Sequence, residues 1–142
     1  NLGFFSCLLM MKRNNVYYEQ IDDLSGLSKN HPMLSLSLLI ILFSLAGIPP
    51  LAGFFAKFYI FKSVIEQSMY FLAIVGLLAT VVAAFYYLRI IKIMYFDKEK
   101  ESYDKDNSLW LKFSLSFSTL IILLYFIFPS QLVDAVSKIN II

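Results

Sequence analysis

Two long apolar stretches, residues 70–95 and 109–128, constrain the fold of this chain more than any other feature. Each can cross a bilayer as a single helix, because about 20 apolar residues span a hydrocarbon core about 30 Å thick. The whole chain is 59% hydrophobic, with a mean hydropathy of +0.72, which exceeds the roughly half-apolar composition of soluble domains. Because backbone polar groups in lipid must be bonded internally, the sequence predicts an all-α integral membrane protein.

Charged residues concentrate between the apolar runs. Segments 12–32 and 96–108 are therefore predicted to be solvated loops, and residues 129–142 a tail. The apolar run at residues 1–11 has no basic region before it, so it does not resemble a signal peptide. It predicts instead the end of a helix whose beginning lies outside this chain.

A third apolar segment, residues 33–66, is too long for one straight crossing, at ~45 Å of helix. Gly47, Pro49, Pro50 and Gly53 interrupt it. Proline lacks the N–H that continues a helix, and it disfavours helical conformation in the residue before it. Glycine permits backbone angles that other residues resist. The sequence therefore predicts a helix that opens at Gly-Ile-Pro-Pro.

A hairpin that turns at the break and a single interrupted crossing both fit this length. Lys and Arg collect on the cytoplasmic side of membrane proteins, which distinguishes the two topologies. A single crossing places nine basic residues on one side, leaving Lys62 and Lys138 on the other, whereas a hairpin gives five against six. The count favours three full transmembrane helices, one of them discontinuous. It predicts loops 12–32 and 96–108 on the cytoplasmic or matrix side.

An open break leaves carbonyls without partners on the first half-helix and free N–H groups on the second. Such groups are tolerated at membrane depth only where protein or water surrounds them, and transporters use breaks of this kind at ion sites. A proline kink that only shapes packing is the alternative.

Ser114 and Ser118, four residues apart on the last helix, predict close helix packing.

Lys57 lies seven residues beyond Pro50, ~10 Å further along the second half-helix. Its helical neighbours include no carboxylate, so any partner must come from another helix or from water. Ionisable residues inside a membrane are candidates for function, and desolvation of a lysine favours proton exchange near neutral pH. We predict a proton relay at Lys57; the alternative is a lysine that only extends its charge to the interface.

Few residues support other chemistry. Cys7 is the single cysteine, which excludes an internal disulfide. Glu19, Asp22, Asp23 and His31 share one loop without ligand spacing, so no metal or cofactor site is predicted.

The segments YEQIDDLSGLSKNHPMLSL, residues 18–36, and LFSLAGIPPLAGFFAKFYIF, residues 42–61, resemble the antiporter-like proton-translocating subunits of respiratory complex I. Within that family the similarity is greatest to subunit 2, called subunit N in bacteria. It is specific in the middle of the chain, and after about residue 96 only hydrophobicity and helix count agree. Members of the family have an earlier repeat of helices, which this chain lacks.

The resemblance implies that residues 33–66 are the discontinuous helix of the second inverted repeat and that Lys57 is its protonatable lysine. It further implies a proton-pumping role in NADH:ubiquinone oxidoreductase, in a bacterial plasma membrane or mitochondrial inner membrane. NADH, FMN, iron–sulfur clusters and quinone would belong to other subunits. The expected partners are other membrane-arm subunits, the missing N-terminal part of the same subunit, and lipid, but no nucleic acid. A cation/proton antiporter, a membrane-bound hydrogenase subunit and a structural subunit without transport remain alternatives.

Overall fold

The computed structural model describes residues 2–13, 16–17, 20–49, 51–98 and 108–127. Pro50, Glu19, most of loop 96–108 and the tail 129–142 lie outside the described residues. The elements in chain order are helix α1 (Leu2–Met10), strands β1 (Lys12–Arg13) and β2 (Val16–Tyr17), a 3-10 turn (Ile21–Leu24), and helices α2 (Leu27–Asn30), α3 (Pro32–Ala46), α4 (Ala52–Glu66), α5 (Tyr70–Phe96) and α6 (Leu109–Ile127).

Helix α3 lies at the centre of the described chain and packs against α1, α5 and α6. Its side chains Leu38, Ile41 and Leu42 are buried, and they join Cys7 of α1 and Met94 of α5 in one apolar core. Proline at the first position of α3 suits a helix start, because its missing N–H would have had no partner there.

The predicted all-α membrane fold with one discontinuous helix is confirmed. Two half-helices of 15 residues each, α3 and α4, occupy the segment predicted to be broken. Within the described ranges, α5 alone combines the length and hydropathy of a complete crossing, and α3 and α6 are shorter apolar helices. Exposed side chains such as Phe71 and Phe85 cover much of α5, so this helix needs lipid or further protein around it.

The predicted loop 12–32 contains regular structure that its polar composition does not reveal. Strands β1 and β2 pair antiparallel, and the 3-10 turn and α2 follow them. The N–H of Gly26 donates to the carbonyl of Ile93 at 3.2 Å, and the hydroxyl of Ser25 donates to the carbonyl of Lys98 at 2.6 Å. This loop therefore lies against the C-terminal end of α5, at one end of the bundle.

The serines of α6 mark a close contact with α1, as predicted. The hydroxyls of Ser6 and Ser114 are hydrogen-bonded at 2.9 Å. A Cβ atom at Gly3 would lie 2.6 Å from the hydroxyl oxygen of Ser118, so a larger residue would push the helices apart. Small residues allow the two backbones to approach, which is the usual basis of helix association in membranes.

Candidate functional site

Helix α3 ends in a turn that satisfies two of its last four carbonyls. Gly47 adopts the left-handed conformation, with φ of 84°. Its N–H donates to the carbonyl of Ser44 at 3.1 Å, and the N–H of Ile48 donates to the carbonyl of Phe43 at 3.1 Å. This pair of bonds is the Schellman motif, in which glycine is favoured because other residues are strained at positive φ.

The side chain of Lys57 satisfies the other two carbonyls. Its Nζ donates to the carbonyl of Leu45 at 2.9 Å and to that of Ala46 at 3.0 Å. These are the carbonyls that Pro49 and Pro50 would serve if they had N–H groups and the helix continued. The sequence-based expectation of unpaired carbonyls at the end of the first half-helix was wrong, because the lysine of the second half-helix replaces the missing donors.

The position of Lys57 is also favourable electrostatically. The C-terminal end of a helix carries a partial negative charge, which attracts a cation. Within the described residues Lys57 has no carboxylate partner; Glu66, on the same helix, pairs instead with Lys62 at 3.7 Å. An ammonium has three donors, and the two carbonyls of α3 use two of them. A third donor is therefore left for water or for another group.

Gly53 allows the two half-helices to overlap. A Cβ atom at this position would collide with the carbonyl oxygen of Ser44. The N–H of Gly53 donates to the hydroxyl of Ser44 at 3.1 Å, so α3 also provides an acceptor for the start of α4. The close crossing positions Lys57, one turn further along α4, above the end of α3.

We expect Gly47→Ala to destabilise the break, because left-handed backbone costs an L-residue ~1–2 kcal/mol. The added Cβ would also lie 3.1 Å from Cδ and Nζ of Lys57. Thermal stability of the full-length protein in its native assembly measures the effect. Gly47→Asn is the matched control, since asparagine tolerates this conformation better than alanine. If both variants lose equal stability, contact with Lys57 rather than backbone strain limits this position.

A cavity of about 260 Å³ lies beside the break, between α3 and α6. Ser44, Leu45 and Ser118 are among its lining residues. Two hydroxyls and a volume well above that of one water molecule make the cavity suitable for hydration. Leu45, whose carbonyl accepts a hydrogen bond from Lys57, is one of the residues that line this cavity.

The structure brings Gly47, Gly53 and Lys57 together at one point, and Pro49 lies in the turn between them. Pro50 lies outside the described residues. Ser44 was not predicted from the sequence, because a serine in an apolar run is usually a packing residue, and its contact with α4 depends on how the chain turns. On the α3 side Ser44 is buried, whereas no residue of α4 is fully buried by the described chain.

Comparison with protein families matches residues 1–83 to the family described as NADH:quinone oxidoreductase/Mrp antiporter, TM. The matched residues include α3, the break and α4. The match thus covers the break and Lys57, but not the α6 side of the cavity beside the break.

Curated relatives are similar over most of the chain. NADH-quinone oxidoreductase subunit N of Pelagibacter ubique is 82% identical over all 142 residues, which correspond to 30% of that protein. The subunit N of Parvibaculum lavamentivorans is 48% identical over 95% of this chain and 28% of its own length. The chain thus spans less than a third of these relatives.

A solved structure of respiratory complex I from Thermus thermophilus contains a chain of similar fold. The TM-score is 0.67 and the identity 26%, over 77% of this chain and 25% of that one. That chain is therefore similar to this one in both sequence and fold.

Proposed function

The chain belongs to the NADH:quinone oxidoreductase/Mrp antiporter transmembrane family, and we propose that it works as part of subunit N, a proton-translocating subunit in the membrane arm of complex I. The 82% identity to a protein of that name and the fold of the Thermus chain support this assignment. The relatives compared are bacterial, which favours a bacterial plasma membrane and gives the mitochondrial alternative no support.

The observation that carries the proposal is the contact of Lys57 Nζ with the carbonyls of Leu45 and Ala46. In the ammonium form these are charge-assisted hydrogen bonds, which are roughly twice as strong as neutral ones. Loss of one proton to an adjacent water leaves a neutral amine, whose attraction to the carbonyl end of α3 is weaker. Uptake of a proton from water restores both contacts. Proton exchange at Lys57 would thus alternate the break between a tight and a looser state.

Water for this exchange is proposed to come from the cavity beside the break. Ser44, Ser118 and Leu45 line this cavity, and the serine hydroxyls can hold water there. Proton transfer then needs no group beyond Lys57 and ordered water on this chain. The proton path that leads away from Lys57, on the side opposite the cavity, would involve the rest of the full-length protein.

We propose that the redox reaction takes place elsewhere in the complex. NADH, FMN, iron–sulfur clusters and quinone would bind to other subunits, and this chain would contribute proton movement alone. Its partners would be the remaining part of the same subunit and the neighbouring membrane-arm subunits. The basic loops 12–32 and 96–108 would face the cytoplasm, in accordance with the distribution of Lys and Arg.

A role in a cation/proton antiporter is the second candidate, because the description of the matched family includes Mrp antiporters. The broken helix and Lys57 would serve either protein in the same way. The two candidates differ in the partners of the chain.

We therefore expect the full-length protein to migrate with an NADH-oxidising complex after mild detergent extraction of native membranes. A native gel stained for NADH oxidation, with mass spectrometry of the active band, measures this association. Migration with other antiporter subunits, separate from the NADH-oxidising band, would favour the second candidate and contradict the first.

A further inference from the structure

A groove of about 600 Å³ runs between α3 and α6, on a different part of α6 from the cavity beside the break. On α6 it extends from Lys112 to Leu123, a distance of ~16 Å along the helix. On α3 it extends from Pro32 to Ile40. The groove does not include Lys57 or the residues that contact it, so the proposed proton exchange does not explain it.

One end of the groove is polar. Asn30, His31 and Lys112 line it there, and Lys112 is exposed. These residues belong to the end of α2, the start of α3 and the start of α6, at the end of the bundle where α2 lies against α5. In a membrane this level corresponds to the headgroup region.

The remainder of the groove is apolar. Met33, Leu36 and Leu120 form exposed walls, with 76%, 47% and 54% of their surfaces accessible. Thr119, on the floor, donates its hydroxyl to the carbonyl of Leu115 at 2.8 Å, so its polar group is satisfied within α6. The groove therefore has a cation and polar groups at one end, and apolar walls along the rest of its length.

We propose that this groove binds one anionic phospholipid, with the phosphate beside Lys112 and an acyl chain along Leu36 and Leu120. A basic side chain at the headgroup level attracts an anionic lipid, and the apolar walls match an acyl chain.

The test uses the full-length protein in its native assembly, reconstituted into nanodiscs that contain phosphatidylglycerol with a photoactivatable acyl chain. Crosslinked peptides should map to residues 32–40 and 112–123. Lys112→Gln should lower crosslinking about fivefold, the effect of ~1 kcal/mol for one basic residue near anionic lipid. Leu120→Trp should also lower crosslinking, because the larger side chain fills the apolar part of the groove.

Two matched controls should behave as the unmodified protein does. Lys92→Gln removes an exposed lysine near the same end of the bundle but outside the groove. Leu124→Trp enlarges an exposed side chain of α6 that does not line the groove. The size of the assembly on a native gel shows whether each variant is intact.

Three outcomes would overturn the proposal. The first is equal crosslinking by a phosphatidylcholine probe, which would indicate ordinary surrounding lipid. The second is unchanged crosslinking in Lys112→Gln. The third is protection of both segments from every lipid probe, which would show that another part of the protein covers the groove.

Discussion

Lys57→Arg should leave the protein assembled but abolish proton translocation through this subunit. The guanidinium has donors for the carbonyls of Leu45 and Ala46, which now accept from Lys57 Nζ. It remains charged at every accessible pH, so it can hold the end of α3 but cannot release a proton. Loss of a positioned proton-transfer group typically slows a reaction by at least ~100-fold. The ratio of protons translocated to NADH oxidised, measured in proteoliposomes, tests this expectation.

Lys57→Met separates the structural role of the lysine from its proposed chemical role. Methionine has no donor, so both carbonyls lose their partner, at a cost of several kcal/mol for each unsatisfied group in lipid. We therefore expect less assembled protein from this variant than from Lys57→Arg, in addition to lost translocation. Lys62→Met is the control, because Lys62 is exposed and, among the residues that the structure describes, its ion pair is with Glu66 on the same helix.

Normal translocation in Lys57→Arg would contradict the relay and leave Lys57 with a purely structural role. In that case the chain would be a scaffold whose lysine closes the end of a broken helix. Parallel losses of assembly and translocation in both variants would likewise assign the lysine to structure. A relay requires assembled Lys57→Arg protein that does not pump.

The position of the break was predictable because it depends on local chemistry. Pro49 cannot continue a helix, and Gly47 permits the left-handed turn that ends α3. Both effects come from the backbone of these residues and do not depend on contacts with other helices. The long apolar runs predicted helices α5 and α6 for a similar reason, since a bilayer has a fixed thickness and needs about 20 apolar residues to span it.

The partners of Lys57 were not predictable, because they depend on the angle at which the start of α4 crosses the end of α3. The sequence indicates which carbonyls lose their donors, but it does not show that a lysine eleven and twelve residues later supplies new ones. Ser44 escaped notice for the same reason, since its bond to Gly53 spans nine residues across the turn. The short strands β1 and β2 have no periodic pattern that would distinguish them from loop.

Gly53→Ala should disrupt the break more strongly than any other single-methyl change at a described glycine of α3–α5. The added Cβ would collide with the carbonyl oxygen of Ser44, a backbone atom that cannot rotate away. The half-helices must then separate, which removes the bond from Gly53 N–H to the Ser44 hydroxyl and displaces Lys57 from the end of α3. Overpacking of this kind costs ~1–3 kcal/mol or more, so both assembly and proton translocation should fall.

Gly76→Ala provides the comparison, because it adds the same methyl group to a neighbouring membrane helix. There the new Cβ would lie 2.7 Å from the ring of Phe61, at the far end of a side chain that can swing aside. We expect this variant to keep nearly normal assembly and pumping, whereas Gly53→Ala loses both. Nearly normal assembly and pumping in both variants would show that α4 can move away from α3 without loss of function. The contact between Lys57 and the carbonyls of α3 would then be dispensable, and proton exchange at Lys57 would have to proceed without coupling to the break.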